Sequence, residues 1–108
     1  MLLDRKDFDD CALITVNEAR IDAAVAIQFK DSLRQLAGDE PRRIVLDMAQ
    51  VQFLDSSGLG ALVAAMKQLG TDRSLELASL SPTVEKVFKL TRMDSVFKVH
   101  SDRQAAIA

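Results

Sequence analysis

The sequence has 108 residues, of which 48% are hydrophobic and 28% are charged, and its formal net charge is −2 at pH 7. That length suits one domain with one hydrophobic core, and no apolar run approaches the roughly 18 residues that a membrane-spanning helix needs. The scattered Lys and Arg residues and the lack of Trp and Tyr argue against nucleic acid as a direct partner.

The N-terminal residues and the single cysteine narrow the class further. Acidic side chains lie within residues 1–7, where a signal peptide would have an apolar stretch, so we expect a cytoplasmic protein without membrane insertion. Cys11 has no second cysteine for a disulfide and no cluster of metal ligands beside it, and we interpret it as a small core residue. We predict one domain over residues 1–108, with no cofactor and no metal.

The first half of the chain predicts a strand, a helix and a second strand. Residues 11–16 are apolar and rich in β-branched side chains, which indicates a buried strand, and residues 2–7 carry a weaker strand signal. Asp22 is predicted to cap a helix whose apolar residues recur at three- and four-residue steps until Gly38. In residues 43–48, apolar side chains occupy both odd-numbered and even-numbered positions, which is typical of a strand buried on both faces.

The second half continues this alternation. Its predicted elements are a helix from Leu59 to Gly70, a strand with one wetter face over residues 73–78, a helix that begins at Ser81 and Pro82, a strand over residues 96–99 and a short C-terminal helix over residues 101–108. Strands that alternate with helices predict parallel β-α-β units. The fold class is therefore α/β, with helices packed on a central sheet.

A polar segment at residues 55–60, with the sequence Asp-Ser-Ser-Gly-Leu-Gly, joins the second strand to the second helix, and we call it the hinge. Aspartate and serine can cap a helix by accepting from its free N–H groups, and glycine lets the backbone turn tightly. A phosphoryl group on a hinge serine would meet unsatisfied N–H donors and the positive end of the helix dipole. The pattern suits a phosphorylation switch, and from the hinge alone a plain helix cap explains Ser56 equally well.

The hinge, the buried strand at residues 44–47 and the strand-to-helix junction at residues 77–82 resemble the STAS domains of bacterial anti-sigma-factor antagonists, and the resemblance covers nearly the whole chain. It implies a single STAS domain with a small mixed central sheet of four to five strands. It also implies partner switching, in which the unphosphorylated antagonist binds a serine-kinase anti-sigma factor and frees the sigma factor. The kinase then phosphorylates a hinge serine with ATP, which breaks the complex, and a serine phosphatase reverses the modification.

The resemblance also assigns site residues. The modified residue of such antagonists is usually the serine directly after the aspartate, which is Ser56 here, and Ser57 is the runner-up. Asp22 matches the aspartate of a Gly-Glu-Leu-Asp-like sequence near the partner surface, whereas Arg20 replaces the glutamate and reverses the local charge, which puts the identity of the partner in doubt. The residues predicted to bind the partner are Asp22, Asp55, Ser56, Ser57, Gly58, Leu59 and Gly60.

The hinge residues also have simpler roles, which stay open at this point. Asp55 could simply satisfy hinge N–H groups, and both hinge glycines could answer a backbone requirement. We do not expect an enzyme, because no Gly-x-Ser-x-Gly elbow is present and the single histidine, His100, is predicted to be an exposed loop residue after the last strand. The rival function is an unphosphorylated STAS docking or ligand-binding subunit of a transport or signalling complex.

The predicted edge strands of the sheet bear on the oligomeric state. We expect a monomer when the protein is free. An unpaired edge strand at residues 75–77 or 96–99 is the alternative, since such an edge can pair between copies.

Overall fold

The described part of the computed structural model, residues 3–108, contains one larger sheet and a small ribbon. The strands are, in chain order, β1 (Leu3–Asp7), β2 (Ala12–Val16), β3 (Arg20–Ile21), β4 (Arg43–Asp47), β5 (Phe53–Leu54), β6 (Ser74–Ala78) and β7 (Val99–His100). The larger sheet has five strands in the order β1-β2-β4-β6-β7, with β1 antiparallel to β2 and the other neighbours parallel. The ribbon is the parallel pair of β3 and β5.

The helices connect these strands in the predicted alternation. They are α1 (Ala26–Ala37), α2 (Ser56–Leu69), α3 (Pro82–Leu90) and α4 (Arg103–Ile107), and a 3-10 turn at Met93–Ser95 follows α3. The α/β class and the mixed sheet are confirmed. None of the helices within residues 3–108 is long and apolar enough to cross a membrane.

The main core lies between one face of the sheet and the helices α1, α2 and α3. Alternate residues of the central strands point to this face, because side chains of a strand alternate between its two sides. The largest buried side chains in this core include Ile14, Ile21, Ile44, Leu46, Met48, Leu77, Phe29, Leu62 and Phe88. Burial of so much apolar surface is the dominant favourable contribution to the folding of this domain.

The opposite face of the sheet has a smaller core under α4. Leu13 and Val45 contribute to it from the central strands, and Ala106 contributes from α4. Cys11 is fully buried there, which confirms it as a core residue, and burial raises the pKa of its thiol. Strand β4 is buried on both faces, as its sequence predicts.

On the face of the sheet that α4 covers, an ion-paired carboxylate connects neighbouring strands through hydrogen bonds. Glu76 of β6 is only 7% exposed, and its carboxylate accepts a hydrogen bond from Arg43 Nε at 2.9 Å and lies 2.7 Å from His100 Nε2. Arg43 also donates to the backbone carbonyl of Ala106 in α4. Burial alone would raise the pKa of the Glu76 carboxyl, but the hydrogen bonds from Arg43 and His100 and their charges outweigh it and hold that pKa below its ordinary value.

This carboxylate explains two predictions that were wrong. Residues 73–78 were predicted to have one wetter face, yet β6 is buried on both sides, because Glu76 is paired there instead of solvated. His100 is not an exposed loop residue, since it lies in β7 with its side chain 12% exposed against Glu76.

The edges of the sheet also differ from the prediction. Residues 75–77 are not an edge along their whole length, because β7 pairs with β6 at Leu77 and Ala78. Strand β7 is itself an edge of the sheet, so the predicted edge at residues 96–99 is confirmed in part, at Val99. The last strand begins later than predicted, at Val99, because the 3-10 turn occupies Met93–Ser95. The weak strand signal near the N-terminus corresponds to β1, an edge strand, and Leu2 lies outside the described residues.

The lowered pKa predicts an acid-dependent loss of stability. A carboxyl whose folded pKa is depressed stabilises the fold above its unfolded pKa, ordinarily 4.5 here, and loses that contribution as the pH falls through the folded value. We expect Glu76→Gln to lower the free energy of unfolding by about 1–3 kcal/mol at pH 7. The deficit should shrink towards about pH 3, because below the ordinary pKa of 4.5 the unfolded wild-type chain binds a proton that the ionised folded carboxyl does not bind. Urea unfolding of wild type and Glu76→Gln at pH 7 and at about pH 3 measures this difference in the free energy of unfolding.

The matched control is Glu85→Gln, which removes an exposed carboxylate paired with Lys89 one helical turn away at 3.0 Å. Such a surface pair contributes about 0.3–0.5 kcal/mol, so this variant should behave almost as wild type at both pH values. An equal pH dependence of the two variants would contradict the assignment to the buried network.

Candidate functional site

The hinge connects β5 to α2, and Asp55 is the cap of this helix. The Oδ1 atom of Asp55 accepts a hydrogen bond from the Gly58 N–H at 2.9 Å, and its backbone carbonyl accepts from Leu59 at 2.9 Å. The helix itself begins at Ser56. Capping of α2 therefore belongs to Asp55, and Ser56 is not the cap.

The two hinge serines are exposed at the first turn of α2. Within residues 3–108, neither the hydroxyl nor the backbone N–H of Ser56 or of Ser57 has a hydrogen-bond partner. These N–H groups are among those that every helix leaves unpaired at its start, and they carry the positive end of the helix dipole. Both hydroxyls are thus free to react, next to donors suited to an anion.

The β3–β5 ribbon holds the hinge against the segment before α1. Ile21 is paired with Leu54, and the Ile21 carbonyl lies 3.5 Å from the backbone nitrogen of Asp55. A Cβ atom added to Gly58 would lie 2.1 Å from that carbonyl oxygen and 2.7 Å from Cδ1 of Leu54. Only a residue without a side chain lets α2 approach β3 this closely.

The remaining hinge residues have different environments. Gly58 is buried, so its role is to position the hinge and not to present a surface of its own. Leu59 is half-buried and packs against the main core. Gly60 is exposed, and a Cβ atom there would meet nothing within 4 Å. A packing requirement therefore explains Gly58 and does not explain Gly60.

Asp22 does not cap α1, which corrects the sequence prediction. The helix begins at Ala26 after Val25, whose side chain makes no capping hydrogen bond. The Oδ1 atom of Asp22 instead accepts from the Ala24 N–H at 3.1 Å, and its carbonyl accepts from Val25 at 3.1 Å. Asp22 closes a turn between β3 and α1, because the chain makes that turn before it enters the helix.

Arg20 and Phe53 form a stacked pair that sequence reasoning missed. The guanidinium carbon of Arg20 lies 4.2 Å from the centroid of the Phe53 ring, and its Nε lies 3.4 Å from Oδ2 of Asp22. We call these three residues the Arg20 cluster. The two stacked residues are 33 positions apart and meet only because β3 and β5 pair in parallel, with Arg20 opposite Phe53. No local sequence signal reports this register.

A shallow groove of about 210 Å³ lies between α1 and α2 beside the hinge. Its lining includes Ala26, Ile27, Lys30, Ser57, Gly60 and Ala61. Ile27 is 72% exposed, an unusual degree for so apolar a side chain in a helix whose other apolar residues face the core. The helical period alone could have marked Ile27 as lying off the core face of α1.

The residues that the structure describes contain no group of three or more His, Cys, Asp or Glu side chains able to hold a metal ion. His100 hydrogen bonds with Glu76, and neither hinge serine has a histidine as hydrogen-bond partner within residues 3–108. The arrangement at the hinge suits modification and binding: a capped helix start, two free hydroxyls and a stacked arginine nearby.

Comparison with known proteins agrees with this geometry. Residues 4–106 match the family model of the STAS domain. The putative anti-sigma factor antagonist BtrV of Bordetella bronchiseptica is 32% identical over 100 residues, which cover 92% of this chain and 86% of that protein. The anti-sigma-B factor antagonist of Listeria monocytogenes is 30% identical over 95 residues, which cover 87% and 82% of the two chains.

A solved structure shows the same fold. The anti-sigma-factor antagonist (STAS) domain protein from Planctomyces limnophilus superimposes with a TM-score of 0.85 at 24% identity, over 97% of this chain and 93% of that one.

The two hinge glycines should respond oppositely to alanine. Gly58→Ala places a methyl group onto the Ile21 carbonyl, so the backbone must move, and we expect a loss of about 1–3 kcal/mol in the free energy of unfolding. Gly60→Ala adds a methyl group in open space within a helix and should stabilise by about 0.5–1 kcal/mol. Chemical denaturation of both variants measures this, and changes of the same sign would refute the close-approach argument.

Proposed function

Because the chain belongs to the STAS-domain family, which includes bacterial anti-sigma-factor antagonists, we propose that it is such an antagonist in a partner-switching pathway. The unphosphorylated protein binds a serine-kinase anti-sigma factor and thereby releases the sigma factor. The kinase transfers phosphate from ATP to Ser56, which ends the binding, and a serine phosphatase restores the free hydroxyl. The protein acts as a regulator in the cytoplasm, without catalysis or a cofactor of its own.

The observation that carries this proposal is the exposed, unpaired Ser56 hydroxyl at the first residue of a helix that Asp55 already caps. Asp55, and not Ser56, makes the capping hydrogen bond of this helix. Here the modification costs no such bond, and the new phosphoryl oxygens meet free N–H donors.

The groove favours Ser56 over Ser57 as the modified residue. Ser57 lines the groove along α1, and Ser56 does not belong to that lining. Ser57 then serves as a contact residue of the partner interface. The other contacts are Asp22 and Asp55 at the edge of the hinge, together with Leu59 and Gly60 along α2.

Phosphorylation acts at the interface. A phosphoryl group brings about −1.5 to −2 charges at pH 7, and it joins the carboxylate of Asp55 in the same helix turn. A partner that docks closely on the hinge would meet added bulk and negative charge there. Repulsion across a desolvated interface lowers affinity without any change in the fold.

The modified residue is tested by intact-mass analysis. Wild type, Ser56→Ala and Ser57→Ala are each incubated with ATP and every serine kinase of the anti-sigma type from the same genome. We expect one phosphate on wild type and on Ser57→Ala, and none on Ser56→Ala. A phosphate missing only from Ser57→Ala would move the site by one residue.

A second outcome decides between the two function classes. If no kinase modifies wild type while the same kinases modify another antagonist, the switch is wrong. The protein is then better described as a docking subunit, and co-purification with subunits of a transporter would identify it as one.

The phosphorylated protein should remain folded. An anion at a helix N-terminus stabilises by about 0.3–1 kcal/mol at low ionic strength, so the free energy of unfolding should be unchanged or slightly higher after phosphorylation. Urea unfolding of the two forms, purified after the kinase reaction, measures it. A loss of more than about 1 kcal/mol would mean that phosphorylation acts by disrupting the domain.

A further inference from the structure

We propose that the Arg20 cluster is a specificity surface for a partner that presents a carboxylate beside the hinge. The inference rests on the proposed function, because it specifies the chemistry of the kinase surface that this domain binds. The hinge and the fold do not by themselves specify the charge of the kinase surface, and the Arg20 cluster does.

The structure holds the Arg20 side chain in one orientation from two sides. Its guanidinium lies over the Phe53 ring at 4.2 Å, and Asp22 lies 3.4 Å from its Nε edge. A guanidinium is a planar fork, and fixing its plane lowers the entropy lost when a ligand binds. The Arg20 side chain is therefore preorganised for binding a carboxylate.

The terminal edge of the same guanidinium is available. The Arg20 side chain is 61% exposed, and within residues 3–108 its two Nη atoms have no hydrogen-bond partner. These atoms carry four N–H donors in the geometry that matches the two oxygens of a carboxylate. A facing glutamate or aspartate would accept hydrogen bonds from both Nη atoms of Arg20.

Structural support of the domain does not account for the cluster. Phe53 is 37% exposed even with Arg20 over it, and exposed cation–π pairs contribute only about 0.5–1 kcal/mol. Aromatic residues, Phe among them, and Arg are both enriched in protein–protein interfaces relative to the rest of the surface.

A carboxylate at this place also fits the switch. Phe53 precedes Ser56 by three residues, so their Cα atoms are at most about 11 Å apart. Because Arg20 stacks on Phe53, its charge lies at a distance from Ser56 on the order of the Debye length of about 8–10 Å in physiological salt, and an interface screens charges less than bulk solvent does. A partner carboxylate paired with the Nη atoms of Arg20 would therefore also repel a phosphoryl group on Ser56.

The test measures the dissociation constant of the complex with the kinase that phosphorylates wild type. Arg20→Glu should weaken the complex by at least about tenfold, because one attraction becomes a repulsion. Arg20→Lys should weaken it by about threefold, since a lysine keeps the charge but loses the fork. The loss should diminish at high salt.

The matched control is Arg34→Glu, an exposed arginine in the last turn of α1, at the opposite end of that helix from Asp22. It changes the net charge by the same amount, and we expect less than about a twofold effect on the complex. Thermal unfolding of both variants verifies that each remains folded.

A charge-compensation experiment tests the direct contact between Arg20 and a carboxylate of the kinase. Exposed Asp and Glu residues of the kinase are changed to Lys one at a time and tested against Arg20→Glu. We expect one kinase variant to restore binding to within about threefold of the original complex and to weaken binding of wild type.

The outcomes separate the two proposals. If wild type is bound and phosphorylated while Arg20→Glu binds equally well, or Arg34→Glu is equally weakened, or no kinase variant restores binding, the specificity surface is wrong and the proposed function stands. If no kinase binds wild type, both proposals are wrong.

Discussion

The close approach of α2 to the backbone of β3 is the constraint on which the site depends. Gly58 leaves no room for a side chain beside the Ile21 carbonyl, and the same carbonyl lies near the backbone nitrogen of Asp55. This contact ties the start of α2 to the ribbon of β3 and β5. The cap, the exposed serines and the stacked Arg20 are therefore held close together by the same backbone contacts.

The two faces of the sheet are built on different physical principles. The face under α1, α2 and α3 is an apolar core whose stability comes from area removed from water. The face under α4 combines a small apolar cluster with the ion-paired Glu76, which Arg43 links to the α4 backbone. A short helix of five residues buries little surface, so directional polar contacts help to hold it in place.

Much of the fold was accessible from the sequence because the period of apolar residues reports which face of an element is buried. The strand at residues 43–48 and the helix ends at Gly38 and Gly70 were predicted correctly. Two of the errors have a common origin: Glu76 and His100 were both predicted to face solvent, and they pair with each other instead. Their pairing, 24 positions apart, gives each buried polar group a hydrogen-bond partner, and no local pattern reports such a pair.

The sequence by itself determined the α/β class, the place of the hinge and its chemical character, because these depend on local patterns of polarity and on residue types at a helix start. Tertiary structure alone decided that Asp55 and not Ser56 is the cap, that Gly58 and not Gly60 is required for packing, and that Arg20 lies on Phe53. The roles of Gly58 and Arg20 depend on which backbone lies opposite the hinge, and the pairing of β3 with β5 determines it. Two-residue strands are too short to leave a periodic signal, so only the folded chain reveals their register.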